Sequence, residues 1–276
     1  MEKIVKDLIK EVITSLMDRV IAKVLIHDPF IIEKHRSEKP LYAALVPDEI
    51  FKGSHFERRF VTPFGGVWEK LANVVAEAGL GKSELGKSIT GTVREGHLNR
   101  IAEVLNKLEH SSKKSDERVR PDWSKELTYI LAGEGELIPT TVICDLFVES
   151  TEGGKKYAFE LKAPLPNSDQ TKVSKEKIFK LLAMEPKKVD FAYYALPYNP
   201  YGKKEDYAWS FPKRWFDMVN DPCVLIGGEF WDFIGGAGTY EQFIKLLSEL
   251  GKGYHEKIYT EYLGLELPEN YEYFSL

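Results

Sequence analysis

ICDLFVESTEGGKKYAFELK, Ile143 to Lys162, is an apolar run carrying Asp145, a Gly153-Gly154 pair, and a second apolar run ending in Glu160-Leu161-Lys162. A glycine pair between two runs rich in aromatic and β-branched residues is a two-residue hairpin signal. With those glycines as the turn, Glu152 faces Lys155, and the register carries outward until Asp145 lies opposite Lys162. Side chains alternate along a strand, so Glu160 and Lys162 project from one face while Tyr157, Phe159 and Leu161 project from the other. The hairpin is therefore expected to gather two carboxylates and one ammonium on one small patch.

Such a patch suits a divalent cation and a phosphate. Magnesium prefers carboxylate oxygen and keeps several waters, so two acids from neighbouring strands make an open site for it. A lysine beside them holds an attacking water or screens charge developing on phosphoryl oxygens. The same spacing also fits an ordinary cross-strand ion pair on a solvated face. The setting argues for burial: Val142, Ile143 and Cys144 precede the aspartate, and Ala158, Phe159 and Leu161 surround the glutamate. Unpaired acids in a buried sheet are costly, and a cation offsets the cost.

Asp145, Glu160 and Lys162 in this arrangement resemble the PD-(D/E)XK nuclease superfamily, with Cys144 where the pattern usually has proline. Three further stretches, LVPDEIFKGSHFERRFVTPFGGVWEKLA (Leu45 to Ala72), LKAPLPNSDQTK (Leu161 to Lys172) and LIGGEFWDFIGG (Leu225 to Gly236), look like type II restriction endonucleases, nearest the TdeIII family. The resemblance implies an α/β, restriction-endonuclease-like core with a central mixed β-sheet flanked by helices and a helical N-terminal part. It also implies a sequence-specific double-stranded DNA endonuclease in which Asp145 and Glu160 hold Mg2+ with the Leu161 carbonyl as a further ligand. Lys162 would position the water, and cleavage would leave a 5′ phosphate. Some related nucleases place a helical glutamate near the metal, which points to Glu69; a surface glutamate paired with a lysine is the other reading. A palindromic target calls for a homodimer, and a cognate DNA methyltransferase is expected in the same system. A nuclease of DNA repair or recombination is the alternative.

Recognition requires side chains that read base edges in the major groove. Asn167, Asp169, Gln170, Lys172 and Lys175 follow the catalytic strand directly at a helix start and are candidates, as are Arg58 and Arg59; capping alone also explains Asn167 to Asp169. Arg118 and Arg120, in the polar run HSSKKSDERVRPD from His110 to Asp122, are candidates for phosphate contact.

The net charge of −5 counts against a DNA-binding protein, but its distribution softens the objection. Residues 155–188 hold nine lysines against four acids, whereas residues 239–276 hold seven glutamates against three lysines. The 276 residues suffice for one large domain, read as a helical part over 1–110, a catalytic sheet core over 120–236 and a C-terminal helix and tail over 237–276. Cys144 and Cys223 sit in apolar runs and read as small buried hydrophobes of a reducing, cytoplasmic compartment. The N-terminus is too charged for a signal peptide or membrane span; Ile4, Leu8, Val12, Ile13, Leu16, Val20 and Val24 recur at amphipathic-helix spacing.

Prolines 29, 40 and 47 mark residues 27–53 as loop-rich. Helices are expected over Val67–Ala78, Glu95–Leu108, Ser168 or Asp169 to Met184, and Tyr240–Leu250. Strands are expected over Glu126–Ala132, Thr140–Glu149, Tyr157–Ala163, Val189–Leu196 and Cys223–Ile226. Gly81 to Ser88 matches the phosphate-loop pattern G-x4-G-K-S, which would make the chain a nucleotide-binding protein. The preceding residues have helical spacing where that loop needs a strand, so the segment reads instead as a glycine-rich connection. The six histidines show no metal-ligand spacing.

Overall fold

The computed structural model describes residues 1–111 and 118–273, so residues 112–117 of the polar run lie outside the described residues. The chain divides into two compact units, Met1–Leu71 with Glu241–Leu276, and Ala72–Tyr240. The second unit is a five-stranded sheet in the order β1-β2-β3-β4-β5. Its strands are Gly81–Arg94, Leu137–Ser150, Lys156–Leu161, Phe191–Leu196 and Val224–Ile226. β1, β2 and β3 pair antiparallel and β3, β4 and β5 parallel, so the expected mixed α/β sheet is present.

β3 is central and covered on both faces. Tyr157 and Phe159 stack on their register partners Phe191 and Tyr193, each pair with ring centroids 5.4 Å apart. Phe230 and Phe233 of helix α8 (Gly228–Gly235) meet these rings edge-on. Offset and edge-to-face arrangements suit the ring quadrupoles, and each fully buried ring contributes about 2–3 kcal/mol by leaving water. The opposite face carries Ala158 and Tyr194 beneath helix α7 (Ser168–Leu182), which packs on β2 and β4 through buried residues such as Ile178 and Phe179. Asn167 caps α7 by accepting from the Gln170 N–H, in place of the expected Ser168 or Asp169.

The hairpin turn is longer than two residues. Ser150 N–H donates to the Lys155 carbonyl, and the ladder runs from Glu149↔Lys156 to Leu146↔Phe159, leaving Thr151 to Gly154 as the turn. Gly153 and Gly154 both take positive φ, 74° and 60°. The pairing is thus shifted by two residues, and continuing it sets Asp145 opposite Glu160 rather than Lys162. A shift of two preserves the side of the sheet, so the grouping of charges survives the error.

The segment expected to be a glycine-rich connection is strand β1. A helix precedes it and β2 pairs along it, so Gly81 to Ser88 has none of the strand-to-helix geometry of a phosphate loop. Glu126–Ala132 is helical as well: α6 runs Trp123–Leu131, capped by Asp122, and buries Trp123 and Ile130. Its alternating Leu127, Tyr129 and Leu131 imitate a strand, but the cap and the stripe formed by Trp123, Leu127 and Ile130 favour a helix. α5, Glu95–Glu109, forms as expected.

In the first unit, α1 spans Lys3–Ala22 and buries Val5, Ile9, Ile13, Leu16 and Val20, whereas Ile4 and Leu8 are exposed. Residues 27–53 are more helical than their prolines suggested, with α2 over Ile32–Glu38, α3 over Pro40–Ala43 and α4 starting at Asp48. Pro40 occupies the first helical position of α3, where a missing N–H costs nothing, and Pro47 precedes α4. α4 continues to Gly79 and includes the expected Val67–Ala78 helix. The C-terminal helix α9, Thr239–Lys257, outruns the expected Leu250. Among the described residues no helix is long and apolar enough to cross a membrane.

Candidate active site

Asp145 sits at an irregularity in β2. The opposing β1 residue, Gly86, has φ of +59° and is skipped between the pairs Leu85↔Leu146 and Lys87↔Cys144. The core beneath α7 takes Val142 and Cys144 before Asp145 but Phe147 after it, so the two-residue alternation slips by one at this position. Beyond the β2–β3 ladder, Asp145 Oδ2 accepts from the Leu161 N–H at 2.8 Å, a side chain standing in for a lost ladder bond.

Around this carboxylate the charges converge. Lys162 Nζ lies 2.7 Å from Asp145 Oδ2 and 3.4 Å from Glu160 Oε2, and donates to the Leu161 carbonyl at 2.9 Å. Glu160 has its side chain only 1% exposed, while Asp145 and Lys162 are near 20%, so the site opens on their side and Glu160 forms its floor. Lys177 of α7 reaches both Glu160 oxygens, at 2.9 and 3.1 Å, and Ser174 lies one turn earlier at 3.5 Å. Lys177 and Ser174 were not singled out from sequence. Their spacing from Gln170 along one helix face was the available signal, but only the packing of α7 on the sheet gives it meaning.

Burial pushes the Glu160 carboxyl above its ordinary range and Asp145 adds to this, while Lys162 and Lys177 oppose it. For Lys162, burial works against the ammonium, but Glu160 and Asp145 outweigh it and hold its pKa above the usual lysine value. Lys162 therefore keeps its proton at neutral pH and acts as a donor, not a base. Burial raises the Cys144 thiol to about 12, which removes it as a nucleophile.

Two carboxylates and a backbone carbonyl are an oxygen set that suits a hard divalent cation completing its shell with water. Among the described residues no group of three or more His, Cys, Asp or Glu side chains stands together as a metal cluster. Glu69 lies half-buried on α4 in the first unit.

The other expected residues are dispersed. Asn167, Asp169 and Gln170 are exposed at the start of α7. Lys172 is ion-paired with Glu109 of α5. Lys175, expected to read bases, is wholly buried and bound to Glu126 and the Trp215 carbonyl, with no face to offer a ligand. Arg118 and Arg120 are exposed and, with Lys213, line a cavity of about 490 Å³. Arg58 is exposed and Arg59 is paired with Asp28, both in the first unit.

The mixed sheet carries a carboxylate–lysine centre, and comparison with known proteins gives the chain's family. The family model for the type II restriction endonuclease HinfI matches residues 5–251. Similar proteins include the type II restriction enzymes HgiCII, HgiBI and HgiEI of Herpetosiphon aurantiacus. HgiCII is 26% identical over 216 residues and HgiEI 26% over 220, each alignment covering 77% of both chains. HgiBI is 24% identical over 227 residues, 81% of both chains. The chain belongs to the HinfI family of type II restriction endonucleases, and so to the sequence-specific DNA endonucleases.

Proposed function

We propose that this enzyme hydrolyses double-stranded DNA at the Asp145–Glu160–Lys162 centre with a divalent cation, Mg2+, and that the centre is of the PD-(D/E)XK kind. The observation that carries the reading is one ammonium, Lys162, held between the two carboxylates at 2.7 and 3.4 Å. The likeness to the TdeIII family is carried no further than the type II class, because the matching family model is that of HinfI.

Asp145, Glu160 and the Leu161 carbonyl would hold the cation. When bound, it supplies positive charge against the phosphoryl oxygens of the transition state. Lys162 stays protonated, orients the attacking water by hydrogen bonding and screens the same oxygens. Lys177, bonded to both Glu160 oxygens, favours the ionised form of that carboxylate against its burial. Water adds to phosphorus in line, the bond to the 3′ oxygen breaks, and the products carry a 5′ phosphate and a 3′ hydroxyl. Asn167, Asp169, Gln170, Lys172, Arg58 and Arg59 would meet base edges, and Arg118 and Arg120 phosphates. A two-fold homodimer would cut both strands of a palindrome, and a cognate methyltransferase would protect the host in the cytoplasm.

The test incubates plasmid DNA with the enzyme with and without magnesium, maps the ends, and repeats the reaction with Asp145→Ala and Lys162→Ala. Discrete fragments with 5′ phosphates that need the metal and vanish in both variants are expected. Undiminished cutting by both variants would remove the assignment.

A further inference from the structure

A single ammonium touches every oxygen assigned to the cation. Lys162 Nζ lies 2.7 Å from Asp145 Oδ2, 3.4 Å from Glu160 Oε2 and 2.9 Å from the Leu161 carbonyl oxygen. Three oxygens from two strands thus converge on one positive point. Glu160 and Asp145 hold the Lys162 pKa above its usual value, so that point is charged at neutral pH. Lys177 is placed differently. Its hydrogen bonds among the described residues go to Glu160, at 2.9 and 3.1 Å, and not to Asp145 or the Leu161 carbonyl.

A second observation is that neither carboxylate depends on Lys162 for its orientation. Asp145 Oδ2 also accepts from the Leu161 N–H at 2.8 Å, and Glu160 is gripped by Lys177, with Ser174 at 3.5 Å. Both acids would stay aimed at the same point if Lys162 withdrew. Withdrawal is also open to it: the Lys162 side chain is 20% exposed above a floor, Glu160, that is 1% exposed. Its flexible four-carbon stem allows the ammonium to swing outward.

We propose that Lys162 occupies the cation position in the resting enzyme, and that a divalent cation enters by displacing its ammonium to the open, substrate side. The inference rests on the metal reading of this centre given above. A dication and an ammonium cannot share the same three oxygens, because like charges about 3 Å apart repel by several kcal/mol even at the effective dielectric of a protein site. The exchange couples two events. The ammonium becomes available to the attacking water and the phosphoryl oxygens when the cation is in place, and is held back when it is not. Cation affinity is lowered in proportion to the fraction of molecules in which Lys162 fills the site.

The test follows the lysine ammonium resonances by 15N NMR in the full-length, DNA-free enzyme during titration with Mg2+. Saturable loss of hydrogen-exchange protection at the Lys162 ammonium is expected, with that of Lys177 retained. This readout uses the parent protein and does not depend on a variant folding. In calorimetry, Lys162→Met should bind Mg2+ about tenfold more tightly, the gain expected if the ammonium fills the site in about nine molecules of ten. Lys177→Met removes an equal charge from the same Glu160 but frees no ligand at Asp145 or Leu161, and should show no such gain. Asp145→Ala should lose the binding. A Lys162 ammonium that keeps its protection at saturating Mg2+, or equal tightening in both methionine variants, overturns the exchange and leaves the metal centre standing. Mg2+ binding that persists unchanged in Asp145→Ala removes the metal reading and the exchange with it.

Discussion

Lys177 Nζ holds both carboxylate oxygens of Glu160, at 2.9 and 3.1 Å, from the second half of α7. A carboxylate with 1% exposure has lost almost all its hydration, and an ionised group in that position needs a partner. Lys162 is shared with Asp145 and stands farther away, at 3.4 Å. The charge state of the site's floor therefore depends on a helix outside the motif.

Replacing Lys177 with Met removes one of the two groups that oppose the upward shift of the Glu160 carboxyl. The acidic limb of the pH–rate profile for cleavage should move to higher pH by roughly one unit, the scale of a lost charge partner. The activity deficit should be largest on the acid side, and Lys177→Arg should restore most of it. A uniform loss across pH would mean that Lys177 only packs.

Lys175, two residues earlier, has a different task. Fully buried and paired with Glu126, it anchors α7 to α6 and to the Trp215 carbonyl. Lys175→Met should destabilise the protein by about 3–5 kcal/mol, because it leaves Glu126 uncompensated. Adding Glu126→Gln should recover part of that in urea unfolding. Cleavage per folded molecule should stay close to that of the parent; weaker DNA binding at unchanged stability would return Lys175 to the DNA interface.

Much of the second unit was legible because its strands carry their burial in their composition. β3 is mostly apolar and is buried from Tyr157 to Leu161, and the three charged side chains expected to gather beside it do meet. Register was less legible, since two glycines announce a turn without saying whether two or four residues make it. β1 escaped because an edge strand with one wet face needs few apolar residues, and its glycines and lysines imitated a phosphate loop. Lys177 was invisible for a tertiary reason: nothing local to α7 says that its polar stripe lies over Glu160.

Gly86 is where that imitation has physical consequences. Its φ of +59° is accessible to glycine at little cost, and an added Cβ would meet no atom within 4 Å. Gly86→Ala should therefore cost only about 1–2 kcal/mol, all of it conformational. Relief of the strain would straighten β1 opposite Asp145, so cleavage should fall more than stability does. The comparison is kcat beside the thermal midpoint, and an unchanged kcat would dissociate the irregularity from the site.

Asp221 supplies a stability test that does not involve DNA. Burial raises its carboxyl to about 6, with Glu126 and Asp217 adding to this, against the Asp217 N–H and Lys175, which lower it. A folded-state pKa above the unfolded one means that the contribution to stability is complete at low pH, where the group is neutral in both states. It is lost as pH rises through about 6, because only the folded protein must then carry a charge out of water. Asp221→Asn mimics the neutral form and can still accept from the Asp217 N–H, the bond now made at 2.8 Å. Urea unfolding should show the variant more stable than the parent by on the order of 2–3 kcal/mol near pH 8, and nearly equal to it near pH 4. An equal gain at both pH values would trace the effect to packing and remove Asp221 from the titration of this unit.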